Sequence, residues 1–148
     1  MRRALRLQRC ALVCTGGARA RLSGPHDVSG LCILAAGKIA FMATTVFTLS
    51  WTHSVEKTRW EEDWKLKPAG LQIITARVKG SGAGMEPAPD AILVDGWWTY
   101  RPAVPIQNQL VLAASGATVS GWQICGGGKC RTIGTNADEP VVLKPCDG

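Results

Sequence analysis

Val46-Phe47-Thr48-Leu49-Ser50-Trp51-Thr52-His53 is the stretch that decides the fold. Its residues alternate without a break: Phe47, Leu49, Trp51 and His53 fall on one side, Thr48, Ser50 and Thr52 on the other. A period of two marks a β-strand with one buried face. Further on, Trp60, Glu62, Trp64 and Leu66 alternate on the opposite parity. That change of phase places a turn or bulge between Ser54 and Arg59, because one extra residue moves every side chain to the other face. A helix over 56–67 competes, since Trp60 and Trp64 are four apart and Lys57 stands at helical spacing from Glu61. Pro68-Ala69-Gly70 closes the segment as a hairpin turn would, and the strand reading is preferred.

The same reading extends in both directions. Residues 31–35 and 39–42 flank Ala36-Gly37-Lys38 and predict a tight hairpin. Leu71, Ile73, Thr75, Arg77 and Lys79 alternate with Gln72, Ile74, Ala76 and Val78, predicting one uninterrupted strand. Residues 80–89 are loop by composition. Residues 91–94 and 97–101 predict a hairpin turned at Asp95-Gly96. Short strands follow at 110–114 and 122–125, with weaker signals at 131–133 and 141–144. The expectation is an all-β chain: a small antiparallel sandwich or barrel forming a single domain over 28–148, preceded by a basic arm over 1–27.

Composition excludes several classes. The chain has 148 residues, 46% of them hydrophobic and 19% charged, which is too apolar for a disordered protein. No uninterrupted apolar run reaches the roughly 20 residues of a membrane span. The net charge of +6 is unevenly placed. Residues 1–30 hold six Arg against Asp27, a balance of +5, and residues 31–148 hold eleven Lys/Arg against ten Asp/Glu, a balance of +1. Without a basic cluster on the folded part, nucleic acid is not an expected partner. The arm reads as a disordered tail or a mis-called start. A targeting segment is the competing reading, although its apolar stretch, Cys10-Ala11-Leu12-Val13-Cys14, is short for one.

Three stretches together carry a resemblance. They are Phe47-Thr48-Leu49-Ser50-Trp51-Thr52-His53-Ser54-Val55-Glu56-Lys57-Thr58-Arg59-Trp60-Glu61-Glu62-Asp63-Trp64, then Lys79-Gly80-Ser81-Gly82-Ala83-Gly84-Met85-Glu86-Pro87, then Asp95-Gly96-Trp97-Trp98. With these the chain resembles the bacterial "domain of unknown function eighteen-fifty" family over about residues 30–148. The resemblance implies a small β domain, often encoded beside tripartite TRAP-type transporters of the TAXI class, with no established activity. Some relatives look membrane-anchored with the domain outside the cell, and the opening of this chain departs from that pattern.

Among chemistry-bearing residues, His53-Ser54 with Glu56, Glu61 and Glu62 nearby is the best catalytic candidate, since nucleophilic catalysis needs a hydroxyl, a base and a group that orients the base. The competing reading makes His53 a hydrogen-bonded continuation of the apolar face of Phe47, Leu49 and Trp51. The loop Gly80-Ser81-Gly82-Ala83-Gly84, with Arg77 and Lys79 alongside, could present backbone N–H groups to an anion. Its spacing is neither a dinucleotide fingerprint nor a P-loop. The candidate ligand- or partner-binding set is therefore His53, Ser54, Glu56, Glu61, Glu62, Arg77, Lys79, Gly82, Gly84 and Glu86. Most Trp residues are expected in the core, while an exposed Trp60 or Trp98 would mark a surface for a partner or a sugar-like ligand.

Four Cys lie in the domain. Cys125 and Cys130 close locally across Gly126-Gly127-Gly128-Lys129, and Cys32 with Cys146 would tie the first strand to the C-terminus. Zinc at the same Cys is the alternative; disulfides are preferred, and with them a periplasmic or otherwise extracytoplasmic location over a cytoplasmic one. The expectation is a β-rich accessory or binding protein for a small molecule or a transporter component, with no cofactor and no metal. A hydrolase-like enzyme using His53, Ser54 and a Glu is the alternative.

Overall fold

The strand announced by the alternation at 46–53 has neighbours on both sides, and the sheet it anchors is the larger of two. The computed structural model describes residues 30–80, 87–116 and 120–147. The basic arm, together with Gly82, Gly84 and Glu86, lies outside them. In chain order the strands are β1 (Gly30–Ala35), β2 (Lys38–Met42), β3 (Val46–Thr52), β4 (Arg59–Lys67), β5 (Gly70–Lys79), β6 (Ile92–Val94), β7 (Trp97–Tyr100), β8 (Leu110–Leu112), β9 (Trp122–Gly126), β10 (Lys129–Ile133) and β11 (Val141–Cys146). No helix occurs among the described residues, and none is long and apolar enough to cross a membrane.

One sheet has four strands in the order β2-β1-β11-β8; the other has seven in the order β10-β9-β3-β4-β5-β7-β6. Every pairing is antiparallel. The two pack face to face as a sandwich with open edges, which decides against the barrel. Leu31, Val141 and Leu143 from the smaller sheet and Leu49, Leu71 and Ile124 from the larger are almost fully buried between them. The hairpin turns are as the sequence implies: Asp95 and Gly96 both take positive φ, at 51° and 77°, as a two-residue turn between twisted strands demands.

The turn between β3 and β4 also falls where the phase change places it. Thr58 accepts from the His53 N–H at 2.8 Å and His53 accepts from the Lys57 N–H at 3.1 Å, with Lys57 in the left-handed region at φ 55°. Beyond it, β4 runs as a strand through residues for which a helix was the alternative.

The expected uninterrupted alternation in β5 does not hold. Asp63 pairs with Thr75 but Trp64 pairs with Ile73, so Ile74 is an extra residue on β5. Leu71 and Ile73 face the core before this bulge, and Ala76 faces it afterwards. The bulge thereby turns Thr75, Arg77 and Lys79 to the outer face, whereas unbroken alternation would have driven Arg77 into the core.

Two disulfides staple the sandwich. Cys32–Cys146 joins β1 to the end of β11 at a Cα separation of 5.7 Å, and Cys125–Cys130 crosses the β9–β10 hairpin at 4.1 Å. Both pairings match those preferred from the sequence. Among the described residues, no cluster of three or more metal-ligating side chains stands as an alternative.

Candidate functional site

The two faces of the seven-stranded sheet divide the charged residues. On the outer face, Arg77 forms a bidentate pair with Asp63, through Nη1 to Oδ2 at 2.6 Å and Nη2 to Oδ1 at 2.9 Å. Its Nε also reaches Glu61 Oε2 at 3.4 Å. Glu61 in turn accepts from Arg59 Nε at 3.1 Å. Arg59 Nη2 donates to Ser50 Oγ at 3.0 Å and to Gln123 Oε1 at 3.3 Å, and Thr48 Oγ1 donates to Asp63 at 2.8 Å. This lattice spans β9, β3, β4 and β5. Burial pushes the Asp63 carboxyl up, but the hydrogen bonds from Arg77 and Thr48 and the Arg77 charge outweigh it and hold the group below its ordinary value. Each charge here has its partner, so the lattice holds strands together and leaves Arg77 little to offer an anion.

The inner face is different. Register brings residues from all seven strands into one transverse row. Ile133 pairs with Trp122, whose ring lies 4.9 Å from that of Trp51. Trp51 pairs with Trp60, and the two rings stack at 5.8 Å. Trp60 pairs with Val78, Val78 with Trp98, and Trp98 with Leu93. Trp51, Trp60, Val78, Trp98 and Trp122 are all half-buried, and Leu93 is 55% exposed. Trp51, Trp122 and Ile133 pack against the core cluster, and the row runs on from them to Leu93 at the sheet edge. Four of the chain's six Trp are in it.

One row deeper, Glu62 pairs with Ala76 and Ala76 with Tyr100. Glu62 is the only acidic residue of β4 on this face. Burial pushes its carboxyl above the ordinary range, and the hydrogen bond from Trp64 Nε1 at 2.9 Å only partly opposes this. Burial raises the Tyr100 hydroxyl as well, helped by the charges of Glu62 and Asp90. No cationic side chain pairs with Glu62 among the described residues; the ion pairs there belong to Glu61 and Asp63. Nearby, Trp60 Nε1 and Thr58 Oγ1 are buried without hydrogen-bond partners, an arrangement that costs stability.

The candidate residues separate accordingly. His53 sits at the rim rather than in the core, its ring 6.3 Å from that of Trp60. Its Nδ1 accepts from the Glu56 N–H at 3.4 Å, and Ser54 takes part in the same turn through its carbonyl, which accepts from Lys57 Nζ at 2.6 Å. Glu61 and Glu62, adjacent in sequence, are on opposite faces. Lys79 is engaged elsewhere, donating to the Asp95 carbonyl at 2.9 Å and standing 5.2 Å over the Trp97 ring. Among the described residues no carboxylate hydrogen-bonds the His53 ring. Sequence reasoning missed Arg59, Asp63 and Tyr100; only strand register and the Ile74 bulge reveal where they face.

A model of the family described as "Domain of unknown function (DUF1850)" matches residues 47–133. The chain belongs to that family. The match begins in β3 and ends with the last residue of β10. It therefore takes in the DUF1850 seven-stranded sheet almost entire, with the Trp row and Glu62, and leaves β1, β2 and β11 outside. No curated protein and no solved structure matches the chain.

Proposed function

We propose that this DUF1850 protein is a binding module, with the Trp row on the inner face of its larger sheet as the ligand-contacting surface. The observation that carries this is the row itself. A domain of this size buries its largest aromatic residues where it can, and here four Trp stand side by side only half-buried, two of them, Trp51 and Trp122, packed on the core. Such a surface is what small-molecule sites are lined with. Binding without turnover is favoured over hydrolysis, because the His53 ring accepts from the turn backbone and, among the described residues, neither the Ser54 hydroxyl nor a carboxylate hydrogen-bonds it.

The two disulfides support an oxidising, extracytoplasmic setting. The resemblance to domains encoded beside TRAP-type transporters of the TAXI class suggests that the ligand is a transported solute or a transporter component. Thermal-shift measurements against a panel of small metabolites test the reading, with wild type and Trp98→Leu compared. At least one compound is expected to raise the wild-type melting temperature and to have a smaller effect on Trp98→Leu, without being consumed. A panel that stabilises neither protein, or both equally, contradicts it.

A further inference from the structure

The inner-face register contains more than a flat row of Trp. On three neighbouring strands it sets out a grid: Trp60, Val78 and Trp98 in one row, with Glu62, Ala76 and Tyr100 in the next. The middle strand contributes the two small residues and the outer strands the large ones. The result is a groove along β5, floored by Val78 and Ala76, with Trp60 and Glu62 on one wall and Trp98 and Tyr100 on the other. The flanking strands stand two strand spacings apart, about 9.6 Å between backbones, and the wall side chains narrow the opening between them. At the Val78 row the residues are half-buried, and at the Ala76 row the floor is only 2% exposed. Ala76 belongs to the core cluster and Tyr100 packs against it, so the open part is the Val78 row, with Glu62 at its inner margin.

Two properties of that inner end select a ligand. A carboxylate partly removed from water either takes up a proton or is stabilised by a counter-charge, and among the described residues no cationic side chain pairs with Glu62. Aromatic walls attract a cation through their π-electron density, most strongly when the cation is poorly hydrated. A metal ion fits badly, since a single carboxylate is the only hard ligand here and no metal-ligating cluster accompanies it among the described residues. A primary ammonium would demand hydrogen-bond acceptors that aromatic walls lack. An alkylated ammonium has its charge spread over methyl groups and needs only aromatic contact and one opposing charge.

We propose that the groove between β4 and β7 binds an alkylated ammonium group, with Trp60, Trp98 and Tyr100 as its aromatic walls and Glu62 as its counter-ion. This deepens the binding-module reading and rests on it. The site is built entirely from the part of the chain that the family model matches.

Calorimetric titration of the full chain with choline and with its uncharged isostere, 3,3-dimethyl-1-butanol, tests the proposal. Choline is expected to bind about tenfold more tightly or better, as a desolvated cation–aromatic contact with an opposing charge allows. Glu62→Gln is expected to abolish that preference while keeping the wild-type far-ultraviolet circular dichroism spectrum. Trp98→Leu, at a half-buried position, is expected to weaken choline at least as much as its isostere. Equal binding of the two compounds overturns the cation assignment and leaves the binding-module reading standing. Binding of neither compound also overturns it, and the metabolite panel then judges the wider reading alone. Unchanged choline affinity in both variants places the site elsewhere and overturns the proposal.

Discussion

Glu62 and Asp63 are consecutive in β4, face opposite sides of one sheet, and have carboxyl groups displaced in opposite directions. Glu62, buried against the aromatic row, titrates above its ordinary value of 4.5, and Asp63, paired with Arg77, titrates below its ordinary 3.8. The signs of their stability effects follow. The folded state holds the Glu62 proton more tightly than the unfolded state, so stability is lost as pH rises through the folded-state value. For Asp63 the contribution is present above 3.8 and lost as pH falls through the lowered value. Glu62→Gln should therefore raise the neutral-pH melting temperature relative to wild type, with the gain shrinking in acid. Asp63→Asn should lower it by about 2–4 °C, a modest effect because the Arg77 pair is partly exposed. Thermal denaturation of both variants between pH 3 and 8 checks the two signs.

Thr58 Oγ1 is buried without a partner. Thr58→Val keeps the shape and removes the unpaired hydroxyl, so it should leave the melting temperature unchanged or raise it by a few degrees. A loss of more than about 1 kcal/mol in denaturant titration would show that the hydroxyl is satisfied.

The two disulfides close loops of very different length, with sequence separations of 114 and 5. Loop entropy alone makes Cys32–Cys146 worth up to ~5 kcal/mol and Cys125–Cys130 ~2 kcal/mol. The Cys32→Ser/Cys146→Ser double variant should accordingly be the less stable of the two double variants in urea titration. Native intact-mass analysis should find no free thiol at any of these four residues.

Ile74 is the extra residue that turns Arg77 outward. Deleting it removes the bulge and leaves every cross-strand pair in phase, with Leu71, Ile73 and Ala76 inward and Thr75, Arg77 and Lys79 outward. The deletion variant should therefore fold with the Asp63–Arg77 pair kept, losing no more than about 3 kcal/mol through the altered local twist. Ile74→Ala, which keeps the extra residue, should cost less than about 1 kcal/mol at this 40% exposed position. Circular dichroism and denaturant titration of the two variants distinguish register from side-chain loss.

Most of the fold was legible in local patterns. The alternation of Phe47, Leu49 and Trp51, the phase change before Trp60 and the Asp95-Gly96 turn all depend on neighbouring residues, which a sequence displays directly. The bulge at Ile74 was not legible, because Gln72, Ile74, Ala76 and Val78 alternate as plausibly as the face that is actually buried. The site depends on that hidden step. Glu62 looked like one of a group with Glu56 and Glu61, and only cross-strand register separates them and brings Glu62 opposite Ala76 and Tyr100. Trp60 and Trp98 could be suspected as exposed, but their common row required the partners of β5.

A ligand that enters the groove over β5 from the inner face must touch Trp60 and Trp98 together. The most direct measurement is a choline titration of the ¹⁵N-labelled protein, followed at the six indole N–H resonances. Trp60 and Trp98 should shift together and saturably, while Trp97, adjacent in sequence but on the outer face, should stay in place. Shifts at Trp97 without Trp60 and Trp98, or no shift at any indole, would contradict it.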